Sequence, residues 1–196
     1  MKCLRSKIKD NSGFTLVEIA IVLVIIGLLI GGVLKGQEMI ENAKIKRVMK
    51  NGDELRAAIF TYQDRFGYLP GDDPLATTHL PGVALITNGN GNGQVAAAED
   101  EDLFAHLSGS GLITGSPAGY IGPPIRFPSH PFGGTYFVQY SAVPGRASNW
   151  IFYNTVPVDV ALAIDTSLDD GVRTTGSIRA SADYTTTAPL TLYVDL

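Results

Sequence analysis

Four groups of residues in this 196-residue chain are of types and spacings that do chemistry. Glu18 stands five residues inside the apolar run Phe14–Leu34, where it is the only ionisable side chain. A carboxylate inside a spanning helix costs about 2.5–3.5 kcal/mol, so it implies a partner or a task. Asp165, Asp169 and Asp170 precede Gly171 and offer oxygen ligands of the kind calcium accepts, with Asp72 and Asp73, or Asp100 and Asp102, available to join them on folding. Their spacing lacks the alternating acidic or amide residues before a central glycine that an EF-hand needs, and a helix end running into a solvated Asp-Asp-Gly turn accounts for them without a metal. Gly91-x-Gly93-x-x-Ala96 satisfies a relaxed dinucleotide fingerprint, but position 116, where the ribose-binding acid would stand, is Ser. Asn-Gly repeats mark more simply a loop needing positive φ. His79, His106 and His130 are scattered, and no HExxH, GxSxG, CxxC or phosphate loop accompanies them. Catalysis has no positive support: the chain reads as a non-enzyme with no required cofactor and no assigned metal ligand.

The elements that carry these residues differ in charge. Residues 1–13 hold Lys2, Arg5, Lys7 and Lys9 against Asp10. The segment 35–70 is also net basic, whereas everything beyond Pro70 has only Arg126, Arg146, Arg173 and Arg179 against twelve carboxylates. An acidic head disfavours nucleic acid, whose phosphates it repels. Lys44, Lys46, Arg47 and Lys50 would lie on a solvated helix face or near anionic lipid. Cys3 is the single cysteine, which excludes a disulfide staple and a cysteine-ligated metal.

The run from Phe14 to Leu34 rises about 31 Å as a helix, which matches a bilayer core. A secretory signal would have a shorter apolar region, and here no proline occurs before Pro70. The anchor is expected to be retained. Lys and Arg flank both ends, so charge alone leaves its orientation open. Gly27-x-x-x-Gly31 and Gly32-x-x-x-Gly36 let apolar helices approach closely.

Gly13-Phe14-Thr15-Leu16-Val17-Glu18, behind a basic leader and ahead of a long apolar run, resembles the prepilin cleavage and methylation motif shared by type IV pilins and type II secretion pseudopilins. The resemblance implies cleavage between Gly13 and Phe14 by a prepilin peptidase and N-methylation of Phe14. It implies a single-pass protein of the bacterial inner membrane, leader inside and head outside, that later joins a periplasmic or cell-surface filament. Its partners would be other pilin or pseudopilin subunits, the inner-membrane assembly machinery and membrane lipid. Glu18 would then meet the Phe14 ammonium of a neighbouring subunit and set the register of assembly. Many major pilins carry a proline near the end of the segment; this chain has Lys35 there. "YQDRFGYLPGDDP", "NGNGNG", "EDEDLFAHLSGSGLITG" and "IDTSLDDGVRTTG" resemble a group of bacterial pilin-like heads more than the head of the major secretion pseudopilin.

Beyond the anchor, Ile45, Val48, Gly52, Leu55, Ile59, Tyr62, Phe66 and Leu69 repeat at helical spacing and form a stripe to bury. The helix should end at Gly67–Gly71, about 53 residues and ~80 Å from Phe14. Strands are expected at Val83–Thr87, Thr135–Ala142, Ser148–Asn154 and Leu190–Leu196, the middle two as a hairpin, with short helices at Ala97–Ser108 and from Pro157 to Leu168. Trp150, Tyr136, Tyr140, Phe152 and Tyr153 would be core aromatics.

The expected fold is α+β: a leader (1–13), a membrane and assembly helix (14–35), an amphipathic stalk (36–70) and a globular head (71–196) with a small antiparallel sheet on the stalk. The leading function is a prepilin of a type IV pilus-like filament. A pseudopilin of a secretion or DNA-uptake system shares the scaffold, and a signal-anchored extracytoplasmic enzyme or binding domain would keep residues 1–13.

Overall fold

A computed structural model describes residues 14–121 and 127–196; the leader, with Gly13, lies outside the described residues. Helix α1 runs Leu16–Phe66. The chain divides into two units, and the boundary falls inside α1 between Asn42 and Ala43. In the first unit every described residue from Phe14 to Lys35 is exposed. Among the described residues, α1 is the one helix long and apolar enough to cross a membrane.

In the second unit, α1 buries Val48, Gly52, Leu55, Ala58, Ile59 and Tyr62, the stripe expected from spacing with Ala58 added. Ile45 and Phe66 flank it half-buried, and Leu69 is buried beyond the helix end. Gly67 terminates α1: at φ +81° its N–H turns back to the Gln63 carbonyl at 2.7 Å, closing an orphan acceptor of the last turn.

The rest of this unit comprises α2 (Ala76–His79), α3 (Asp100–Gly109), a 3₁₀ turn at Pro117–Gly119, β1 (Tyr136–Val143), β2 (Arg146–Val156), α4 (Val158–Leu168), β3 (Ile178–Ala180) and β4 (Leu190–Asp195). The four strands form one antiparallel sheet in the order β1-β2-β4-β3. Val138, Ile151, Val194 and Ile178 pair across all four strands and are buried in the core that includes the α1 stripe. The alternate residues Phe137, Phe152, Tyr193 and Arg179 form the matching row on the other face. Pro144 and Gly145 turn β1 into β2, with Gly145 at φ +82°, the conformation a type II turn demands after proline.

Val83–Thr87 does not form the expected strand. Leu85 sits exposed at φ +67°, Ile86 alone of the pair is buried, and the Thr87 carbonyl bonds His106 instead of a strand. The helix expected from Ala97 begins at Asp100, because Ala96 donates its N–H to Glu99 Oε2 in a turn that precedes the helix. Strand β3, α2 and the 3₁₀ turn are too short to show a periodicity. The expected β1–β2 hairpin, β4 and α4 are present within a residue or two. Trp150, Tyr136, Phe152 and Tyr153 are buried; Tyr140 is half-buried.

Candidate functional site

Helix α1 begins with four N–H groups that have no partner within the helix, and in a bilayer water does not supply one. Thr15 and Glu18 answer this locally. The Thr15 N–H and hydroxyl both donate to Glu18 Oε2 at 2.8 Å, and the Glu18 N–H donates to Thr15 Oγ1 at 3.2 Å. This is a reciprocal capping box, Thr-x-x-Glu, written across the residues that carried the resemblance. The carboxylate therefore has a partner in its own first turn. The sequence holds the signal for it, since threonine precedes glutamate by three residues.

Phe14 is 84% exposed, and a methyl added at Gly27, Gly31, Gly32 or Gly36 meets nothing within 4 Å. The small-residue face is open over its length. Past it, Lys35 pairs with Glu38 at 2.9 Å and Lys50 with Glu54 at 3.3 Å, both exposed, so they contribute little to stability.

In the head, Asp165, Asp169 and Asp170 come together, each with a carboxylate oxygen within 4.8 Å of the others'. Protein donors already serve them. Tyr184 donates to Asp165 at 2.5 Å, Ser177 and Ile178 N–H groups to Asp169, and Thr175 to Asp170. Burial, aided by its acidic neighbours, holds the Asp165 carboxyl above its usual range despite the bonds from Tyr184 and Gly171.

His106 is fully buried. Its Nδ1 accepts the Gly71 N–H at 2.9 Å and its Nε2 lies 3.0 Å from the Thr87 carbonyl, which places the proton on Nε2. Burial pushes its pKa down, so it stays a neutral structural link. His79 Nδ1 is 2.7 Å from Asp73, which also accepts the Tyr62 hydroxyl and the Leu75 N–H, both at 2.8 Å. His130 bonds the Asn154 carbonyl at 2.6 Å. His79 stacks on Phe66 at 4.9 Å and His106 on Tyr62 at 6.0 Å, both at the end of α1, whereas His130 serves the Asn154 segment.

The glycines of the Gly91–Ala96 fingerprint are occupied too. Asn92 and Gly93 N–H groups donate to the buried Asp72 carboxylate at 3.0 and 2.6 Å, and Gly91 donates to the Asp72 carbonyl at 2.9 Å. The sheet is antiparallel throughout, so the βαβ unit that the fingerprint requires is missing from the described residues.

A family model described as the prokaryotic N-terminal methylation motif matches residues 8–34. No curated protein and no solved structure matches the chain. The matched segment includes the capping box and the exposed apolar helix, and the motif marks a structural family, not an enzyme family. Over those residues the chain therefore carries the N-terminal signature shared by type IV pilins and pseudopilins.

Proposed function

We propose that this chain is a prepilin whose mature form starts at Phe14 and is a structural subunit of a type IV pilus-like filament. The observation that carries the reading is the bare apolar surface of α1: among the described residues, nothing covers it from Phe14 to Lys35. A bilayer suits that surface before assembly and a bundle of like helices suits it after. Prepilin peptidase would cut between Gly13 and Phe14 and methylate the new amine. The open face at Gly27, Gly31, Gly32 and Gly36 would admit neighbouring helices. Glu18 would exchange one of its Thr15 bonds for the Phe14 ammonium of an adjacent subunit, since each charge alone is costly in an apolar bundle and the pair relieves both. The head would remain outside the cytoplasm, with the inner membrane as the store of unassembled subunits.

Co-expression with a prepilin peptidase in bacterial membranes, followed by mass spectrometry of the N-terminus, tests this. N-methylated Phe14 is expected, together with filaments. An intact Met1 on a membrane-bound monomer would instead make the chain a signal-anchored protein.

A further inference from the structure

Residues 88–93 repeat one dipeptide: Asn88-Gly89, Asn90-Gly91 and Asn92-Gly93. Asparagine before glycine is prone to spontaneous deamidation, because no Cβ hinders the glycine nitrogen as it attacks the asparagine side chain. In that reaction the glycine nitrogen bonds to the asparagine Cγ. The side-chain nitrogen leaves as ammonia, with the proton that the glycine N–H gives up. Water then opens the cyclic imide at either carbonyl, leaving aspartate or isoaspartate. All three asparagines are exposed, so water reaches each of them.

The fold ties down all three attacking nitrogens, but by different means. The Gly89 N–H donates to the Asp73 carbonyl and the Gly91 N–H to the Asp72 carbonyl, both at 2.9 Å. Both glycines are also crowded: a methyl on Gly89 would lie 2.4 Å from the Asp72 backbone, and one on Gly91 3.1 Å from Pro74. Asn90 is held further through its leaving nitrogen, since Nδ2 donates to Glu99 Oε1 at 2.8 Å. Gly93 is different. A methyl there meets nothing within 4 Å, and its N–H donates to a side chain, Asp72 Oδ2, at 2.6 Å.

The rest of the Asn92 geometry favours reaction. Its Oδ1 accepts the Gln94 N–H at 2.8 Å, a donor aimed at the oxygen on which negative charge develops as the nitrogen adds. Against this stands Asp72, 1% exposed. Its carboxylate holds the Gly93 N–H on itself, and it sets a negative charge beside a nitrogen that must become negative to attack.

We propose that Asn92 is a deamidation site that the Asp72 carboxylate holds in check. Local opening of the loop frees the Gly93 nitrogen, and loss of ammonia makes the change one-way. The product sets a new carboxylate beside Asp72, whose Oδ1 is 3.0 Å from the Asn92 nitrogen. Among the described ion pairs no basic side chain reaches Asp72 to offset it. A modified loop therefore closes less well than before, and the residue records that the loop has opened. The site does not depend on filament assembly.

The test is fragment-ion mass spectrometry of the full chain, kept folded in detergent micelles at mildly alkaline pH and sampled over time, with Trp150 fluorescence as the check on folding. In the wild type Asn92 should gain the amide-to-acid mass before Asn88 and Asn90, whereas in denaturant the three should convert at similar rates. Asp72→Ala removes one charged hydrogen bond and should speed Asn92 about tenfold, with Asn88 and Asn90 at their wild-type rates. Asp72→Asn keeps the shape and removes the charge; it should give an intermediate rate, and it decides the matter if Asp72→Ala does not fold. Conversion of Asn92 no faster in the folded variants than in the wild type overturns the guard. So does equal acceleration of all three asparagines while Trp150 fluorescence stays native, or Asn88 or Asn90 leading in the folded wild type.

Discussion

The hydroxyl of Tyr153 on β2 occupies the place that a methyl group on Gly52 of α1 would need. Glycine in a helix interior normally costs about 1 kcal/mol against alanine. Here it opens the notch that seats the Tyr136–Tyr153 pair of the sheet's core face on the helix, since Tyr153 is 4% exposed and packs edge-on to Tyr136 at 4.9 Å.

Gly52→Ala should therefore destabilise the head by about 1–3 kcal/mol in spite of alanine's better helix propensity. Adding Tyr153→Phe, which removes the clashing oxygen, should recover part of that loss. Chemical denaturation of the full chain in micelles reads both. A Gly52→Ala protein as stable as wild type would mean the notch is not needed.

Thr15 and Glu18 can be separated by their failures. Thr15→Val removes the cap alone, at about 1 kcal/mol, so the amides of the first turn should exchange with solvent about fivefold faster in micelles. Thr15→Ser should restore protection. Glu18→Ala removes cap and carboxylate together; it should insert and be processed, yet yield few filaments. Equal filament loss in Thr15→Val and Glu18→Ala would show that capping, not register between subunits, is what assembly needs.

Asp73 joins the end of α1 to α2 by three bonds, from Tyr62, Leu75 and His79. Burial alone would raise its pKa, but bonds from His79, Leu75 and Tyr62 outweigh it and hold the carboxyl below its usual range. Asp73→Ala leaves three groups unsatisfied and should cost about 3 kcal/mol, whereas Tyr62→Phe removes one bond and should cost about 1 kcal/mol. Similar losses from both would mean that Asp73 contributes no more than its tyrosine bond.

The pH dependence of head stability combines opposed terms near α3. His106, its pKa lowered chiefly by burial, binds a proton more readily unfolded than folded. Its contribution is complete above its ordinary value of 6.5 and is lost as pH falls through and below that value. Asp73, also lowered, loses its contribution at more acid pH. Asp100 runs the other way: burial, then the charges of Glu101 and Asp102, raise its pKa to about 6. Its carboxylate costs stability above pH 6, and acid relieves that cost. Asp100→Asn should gain about 1 kcal/mol at pH 7.5, after discounting for its partial exposure, and nothing near pH 4. Denaturation midpoints across pH 4–8 check this; a gain that does not fade in acid would remove the assignment.

The long helix, its buried stripe, the β1–β2 hairpin and the apolar run were legible in the sequence, because each rests on a local repeat or a turn residue. Val48 through Tyr62 announce one face by spacing, and Pro144-Gly145 announces a turn. The methylation signature is legible for a related reason: it is a contiguous stretch of residues 8–34. The Thr15–Glu18 cap was equally local, three residues apart.

Tertiary structure decided the rest. Val83–Thr87 has strand-forming residues but finds no strand to pair with, and β3 is three residues that only β4 makes into a strand. The aspartates at 72 and 73 look alike in sequence, yet one sits under a glycine loop and the other binds a tyrosine and a histidine. Asn90 and Glu99 are nine residues apart, and their contact exists because Val95 is pinned to β1 and Gly91 to Asp72. Periodicity determines which face of an element is apolar; which polar groups share a buried space depends on distant segments closing around them, and no local pattern encodes that.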